Sequence, residues 1–185
     1  MHIELTKQEL KELKKLRAQI HRSSAVETIK EMFTRSEAFG DRVAVVEKIK
    51  KQDAAYTVKE FHDKVRQLGT ALYDMGLGGK HVSIVSENSY NWIVVFFAIV
   101  CGGGVAVPID KELKAPEVNN ILTLSGSDAC IYAPEMAEKI ENHGFDGFKL
   151  CKTDIASAIE EGKKLVEAGD KSFENHKIDP YAMSA

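Results

Sequence analysis

Three cysteines, Cys101, Cys130 and Cys151, and six histidines, His2, His21, His62, His81, His143 and His176, are the side chains of this 185-residue sequence best suited to metal binding or nucleophilic chemistry. Their spacing argues against both uses. No C-x-x-C pair occurs and no histidine stands at ligand spacing from a cysteine, so zinc is not expected. The thiols read as buried structural groups in a reducing compartment. A serine nucleophile has no G-x-S-x-G elbow to carry it.

The stretch "CGGGVAVPID", Cys101 to Asp110, has three readings: a phosphate cradle, a membrane break or a packing joint. A dinucleotide fingerprint needs G-x-G-x-x-G opening a helix after a strand. Here Val107 stands where the third glycine belongs, and the glycines follow a helix. A P-loop needs G-x-x-x-x-G-K-[ST]. Gly79-Lys80 is followed by His81 and preceded at the first glycine position by Asp74; Gly162-Lys163 is followed by Lys164 and preceded there by Ser157. The apolar run Trp92–Val107 is 16 residues long, short of the ~20 that a spanning helix needs. The packing joint remains.

The elements that would position these residues follow from caps and periodicity. Asn88 or Ser89 caps a helix through Trp92 and Phe96 to about Cys101, which is apolar all round and hence covered on several sides. The glycines end it, and "VAVP" is a buried strand that Pro108 is expected to terminate. With the strand Val82–Glu87 this makes a β-α-β unit with a parallel pair. Downstream, Pro116 opens a helix with Val118, Ile121 and Leu122 on one face and Gly126 as its stop. "ACIYA" is a strand, Pro134–Asn142 a short helix and "FKLC" a strand. Asp154 caps a helix bearing Ile155, Ala158, Ile159 and Val166, with Gly162 as its weak point. Strands alternating with helices predict an α/β fold with a parallel sheet.

The first third is patterned differently. Thr6 with Glu9 forms a capping box, stapled by Leu5 and Leu10, for an amphipathic helix through Leu13, Leu16 and Ile20. Ser24 with Glu27 is a second box, for a helix carrying Ile29, Met32 and Phe33 that ends at Gly40-Asp41. "VAVVE", the "KIKKQDAA" stretch and "AYT" predict an antiparallel hairpin. Thr57 with Glu60 is a third box, for a helix striped by Phe61, Val65, Leu68, Leu72 and Met75 and closed by Gly76. Residues 1–24 are thus expected to be a helical arm and 25–185 a subdomain.

Composition bounds the function classes. With 44% hydrophobic and 29% charged residues the chain is globular and neither disordered nor membrane-loaded. A net charge of −3 speaks against a nucleic-acid binder, which needs a concentrated basic face. The N-terminus is charged and helix-like, so no signal peptide is expected.

The order of these motifs resembles the N-terminal part of the adenylate-forming ligases, a family of acyl-CoA synthetases, adenylation domains of peptide synthetases and luciferases. Tyr56-Thr57 leading to Glu60-Phe61 is similar to the family's first core motif, and Gly103-Gly104 through Val107-Pro108-Ile109-Asp110 to its second. The resemblance runs from about Thr28 to the C-terminus and leaves the first helix outside. The chain departs from the family in its third glycine and in Lys114-Ala115 before Pro116, where a small hydroxyl residue is common.

The resemblance implies the ligase fold, with a parallel sheet flanked by helices and a short antiparallel hairpin, and a bacterial long-chain fatty acid–CoA ligase as the parent. A carboxylate would attack the α-phosphate of Mg-ATP to give an acyl-adenylate, and a thiol, that of CoA, would then take the acyl group. Read this way the sequence ends before the phosphate-binding loop, so the fragment itself would be inactive, cytoplasmic, without a cofactor or metal of its own, and prone to self-associate where the rest of the polypeptide docks. Open α/β sheets bind ligands beyond the carboxyl ends of their strands. That rule nominates Glu87, Asn88, Asp110 and Ala133 as the ligand-facing edge. A flavodoxin-like binding module using "SENS", or a non-enzymatic interaction domain, are the alternatives.

Overall fold

The computed structural model describes Gln8 and residues 25–141, 144–151 and 154–185. The box expected at Thr6 and Glu9, its helix, and Ser24 lie outside the described residues. Helix α1 (Ile29–Ser36) starts one motif later than the Ser24 box would place it: Thr28 is its cap, with Oγ1 accepting from Glu31 N at 3.0 Å. Thr28-x-x-Glu31 is itself a hydroxyl followed by an acid at capping spacing. Phe33 is buried on this helix, whereas Met32 faces solvent at 47% exposure, against the expected pattern.

Strands β1 (Val43–Ile49) and β2 (Gln52–Thr57) form the hairpin. Its turn is only Lys50-Lys51, both at positive φ, the geometry that matches the twist of the flanking strands. Helix α2 (Val58–Asp74) begins with the predicted box: Thr57 Oγ1 accepts from Glu60 N, and Glu60 accepts from Thr57 N at 2.7 Å. Phe61, Val65, Leu68 and Leu72 are buried along it, while Met75 is its partly exposed C-cap. Gly76 follows at φ +76°.

Four parallel strands come next: β3 (His81–Val85), β4 (Val105–Ile109), β5 (Ala129–Tyr132) and β6 (Phe148–Cys151), in the order β4-β3-β5-β6. They alternate with α3 (Tyr90–Cys101), α4 (Ala115–Leu124), α5 (Ala137–Glu141) after a 3-10 turn, α6 (Ile155–Glu167) and the short α7 (Ser172–Asn175). Period 2 in each strand feeds two cores. Val82, Ile84, Ala106, Ile131 and Leu150 meet α1, α2, α3, α6 and α7 on one face. Val85, Ile109, Cys130 and Tyr132 meet Val118 and Leu122 of α4 and Ile140 of α5 on the other. Cys101 and Cys130 are fully buried as expected, whereas Cys151 is only half-buried, and burial pushes the Cys101 and Cys130 thiols up to about 12.

Three local expectations are corrected. Pro108 does not end the ladder, because it pairs with Ile84 and Ile109 continues to Val85. β4 is the edge strand, and Ala106 N–H points away from β3 to Ser184 O at 2.9 Å. Two residues on, Pro108 lacks its N–H on that same outer side, where the β3–β4 ladder needs none. Asp154 occupies the N-cap position of α6 without making a cap hydrogen bond. Gly162 is a point of contact and not a weakness, since a Cβ there would lie 1.9 Å from Gln67 O on α2.

Candidate functional site

The glycine turn shows why the phosphate reading fails in three dimensions as well. Gly102 caps α3, and its carbonyl accepts from Tyr73 Oη at 2.8 Å. Gly103 sits at φ +75° with the His176 ring where a Cβ would go, 2.2 Å from Nε2. A Cβ on Gly104 would stand 2.7 Å from Lys80 O and 3.0 Å from Ile99 Cγ2. The space that missing side chains would leave for an anion is filled by protein. These glycines let α3 pass directly into β4, close beneath the entry to β3.

Beyond the carboxyl ends of β3 and β4 the chain leaves a cavity of about 330 Å³, within the size range of small-molecule sites. It is lined by Ser86, Glu87 and Asn88 after β3, by Pro108, Ile109, Asp110 and Lys111 at the end of β4, and by Trp92 of α3. Three of the four nominated residues, Glu87, Asn88 and Asp110, therefore share one hollow. The fourth does not. Ala133 is fully buried, and its N–H donates to Val85 O at 3.0 Å.

The crevice nearest Ala133 lies between β3 and β5, whose following connections run in opposite directions, toward β4 and toward β6. That is the topological switch point where open sheets bind ligands. Here Trp92, Val95 and Ile155 close it to about 10 Å³, and the open hollow is displaced to the β3–β4 side.

Several contacts fix the walls. Ser89 Oγ accepts from Trp92 N at 3.2 Å and caps α3, which holds the indole at the mouth. Asp110 Oδ1 accepts from Glu112 N at 2.9 Å, and the Lys139 ammonium of α5 donates to Lys111 O and Leu113 O. Both tie the loop after β4 in place. Glu47 of β1 accepts from Tyr90 N at 3.1 Å, placing a carboxylate at the positive end of α3. Tyr56 of β2 stacks on Tyr90 at 3.6 Å between centroids. Glu47 and Tyr90 also line a second hollow of about 480 Å³ with Val45, Val46, Ser89 and Ile93, and Asn88 and Trp92 line both hollows.

Sequence reasoning missed Glu47, Trp92 and Lys111 as wall residues. Trp92 at the head of an apolar helix was the one available signal, because a large ring near a strand end tends to face a crevice.

The donor set decides what this hollow accepts. Glu87 and Asp110 bring two carboxylates, and the lysine present, Lys111, lies 3.7 Å from Glu112. With one ammonium beside two carboxylates, this lining has no excess of positive charge for the phosphates of a nucleotide. Among the described residues, no group of three or more His, Cys, Asp or Glu is placed to hold a metal ion, and no helix is long and apolar enough to cross a membrane.

Comparison with known proteins agrees with this order of elements. The long-chain-fatty-acid–CoA ligase FadD13 of Mycobacterium tuberculosis is 32% identical over 90 residues, covering 48% of this chain and 18% of that protein. The human mitochondrial malonate–CoA ligase ACSF3 is 28% identical over 113 residues, covering 58% of this chain and 19% of its own length. This chain thus spans less than a fifth of either relative. Among solved structures, the N-terminal domain of FACL13 from M. tuberculosis superposes with a TM-score of 0.64 at 24% identity, over 73% of this chain and 36% of that one. NpsA of Klebsiella oxytoca in complex with 3-hydroxyanthranilyl-AMSN gives 0.61 at 20% identity, over 74% and 26%. These two show a shared fold. Residues 32–181, most of the sequence and nearly all of the α/β unit, match the family of AMP-binding enzymes, and the chain belongs to that family.

Proposed function

We propose that this chain is the N-terminal part of an ATP-dependent carboxylate–CoA ligase, which joins a carboxylic acid to AMP and then passes the acyl group to the thiol of CoA. The observation that carries the reading is the family match across residues 32–181, which takes in the hairpin, the β3-α3-β4 unit and α4 to α7 in one run. A long-chain fatty acid is the proposed substrate, on the likeness to FadD13; the malonate ligase among the relatives is the reason to test short diacids beside it. Residues 25–185 are the proposed subdomain and the cytoplasm the proposed compartment.

The family implies ATP, Mg²⁺ and CoA. This chain's own residues do something narrower. Glu87, Asn88 and Asp110 form the ligand-facing edge, and Trp92 closes its apolar side. Groups that neutralise phosphate charge are proposed to come from other residues, since this lining has no excess of positive charge. On this reading residues 1–185 alone bind no nucleotide and do not catalyse.

Pyrophosphate exchange into ATP by the full-length protein tests the reading. Exchange is expected with a long-chain fatty acid and much less with malonate or amino acids, while the isolated 185 residues show no saturable Mg-ATP binding in calorimetry up to millimolar concentration. Absence of exchange with every carboxylic acid would overturn it. Micromolar nucleotide binding by the 185 residues would favour a stand-alone binding module instead, with Ser86, Asn88 and Ser89 the first residues to mutate.

A further inference from the structure

Two glycines face the last fifteen residues of the chain for a reason unrelated to ligand binding. Gly69 lies inside α2, where glycine is less favourable than alanine. A Cβ there would fall 2.3 Å from the Phe173 ring, which is 3% exposed. Gly103 is likewise covered by the His176 ring, which lies 5.8 Å from the ring of Tyr73. The two rings are three residues apart, on α7 and just beyond it, and each fills the place of an absent side chain.

Charge holds the same segment from the other side. Lys30 of α1 donates to Phe173 O and to His176 O, both at 2.7 Å, with its ammonium 5.3 Å from the centre of the Phe173 ring. A cation closing the open carbonyls of a helix end is favourable, and more so over an aromatic face. Arg66 of α2 pairs with Glu174 at 2.7 Å. Past the turn at Asp179-Pro180, closed by Ala182 N to Asp179 O, Ser184 O accepts from Ala106 N on the outer edge of β4.

We propose that Asp170–Ser184 is a latch, in which Phe173 and His176 seat in sockets left by Gly69 and Gly103 and the Lys30 ammonium pins their two carbonyls, fixing where the backbone beyond His176 meets the edge of β4. The latch reaches the site through β4. The strand it braces ends in Pro108 and Ile109 and is followed by Asp110, and all three line the 330 Å³ hollow. A loose latch frees the outer edge of that strand and the turn at Gly102–Gly104. The latch stands on geometry alone and does not depend on the reaction proposed above.

The test compares Lys30→Met, Phe173→Ala and Gly69→Ala in the full-length protein. Two local readouts are used: hydrogen exchange at the Ala106 amide, whose acceptor belongs to the strap, and tryptic cleavage at Lys171 and Lys177. Each variant is expected to speed both by at least about tenfold, with the Ile84 and Ile131 amides in β3 and β5 unchanged. Gly69→Ala is the discriminating variant, because it keeps every side chain of the strap and favours helix α2, yet fills the Phe173 socket. Faster cleavage with unchanged exchange at Ala106 would overturn the coupling to β4. Equal acceleration at Ile84 and Ile131 would make Lys30 and Phe173 ordinary core contacts and would overturn the latch.

Discussion

Gly104→Ala isolates the packing joint. The position has no positive φ, so alanine meets no backbone penalty, and what changes is one methyl group. That methyl would lie 2.7 Å from Lys80 O and 3.0 Å from Ile99 Cγ2. Normal contact needs about 3.4 Å or more, so the α3–β4 turn must draw back from β3 by roughly half an ångström. Lys80 O is not free to move, because it accepts from Val105 N at 3.0 Å at the first rung beside the β3–β4 ladder. Overpacking costs about 1–3 kcal/mol and a weakened hydrogen bond up to about 1 more. The loss of unfolded-chain entropy on replacing glycine returns about 0.4–1 kcal/mol. The net expectation is a destabilisation of about 1–3 kcal/mol, or a fall in Tm of roughly 2–12 °C for a chain of this size. Urea unfolding followed by circular dichroism measures it as a lowered midpoint at constant slope. A midpoint equal to or above that of the parent protein would refute the reasoning, since the overpacking would then not exceed the entropy gain.

Two further outcomes follow from buried groups. His62 is 2% exposed, stacked on Phe33 and bonded to Ser36 Oγ, and burial holds its pKa below the usual histidine value; His176 is lowered in the same direction by burial and by Lys30. Below about pH 6.5 the unfolded chain binds protons that these folded imidazoles refuse, so stability should be flat above that pH and fall as pH drops through it. Urea midpoints between pH 8 and 5 check this, with a shallower slope expected for His62→Leu; stability that rises on acidification would contradict the assignment. Cys101 and Cys130, with thiols pushed up to about 12 and no solvent access, should resist a disulfide reagent at pH 8 until the protein is unfolded, and rapid labelling of either in the folded state would show the core to be open.

Where a rule involves only neighbouring residues, the sequence by itself was sufficient. The Thr57–Glu60 box, a cap of α3 at Asn88 or Ser89, the stops at Gly76 and Gly126, and the alternation of strands with helices rest on contacts within a few residues or on a simple period, and these set the α/β class. Glu87, Asn88 and Asp110 could be nominated for the same reason, since the ends of β3 and β4 are visible in the pattern. Other features depended on elements far apart in the chain. Pro108 lies inside a strand because β4 is an edge, and edge status is a property of the sheet order. Gly162 is a contact because α6 crosses α2 at Gln67, a distance of ninety-five positions that no local signal spans. Ala133 was nominated by the same strand-end rule as the others, yet its crevice is filled by Trp92, Val95 and Ile155 from two different helices. Side-chain volume arriving from elsewhere decides whether a strand end faces a ligand or a plug, and that volume is fixed only when the helices pack.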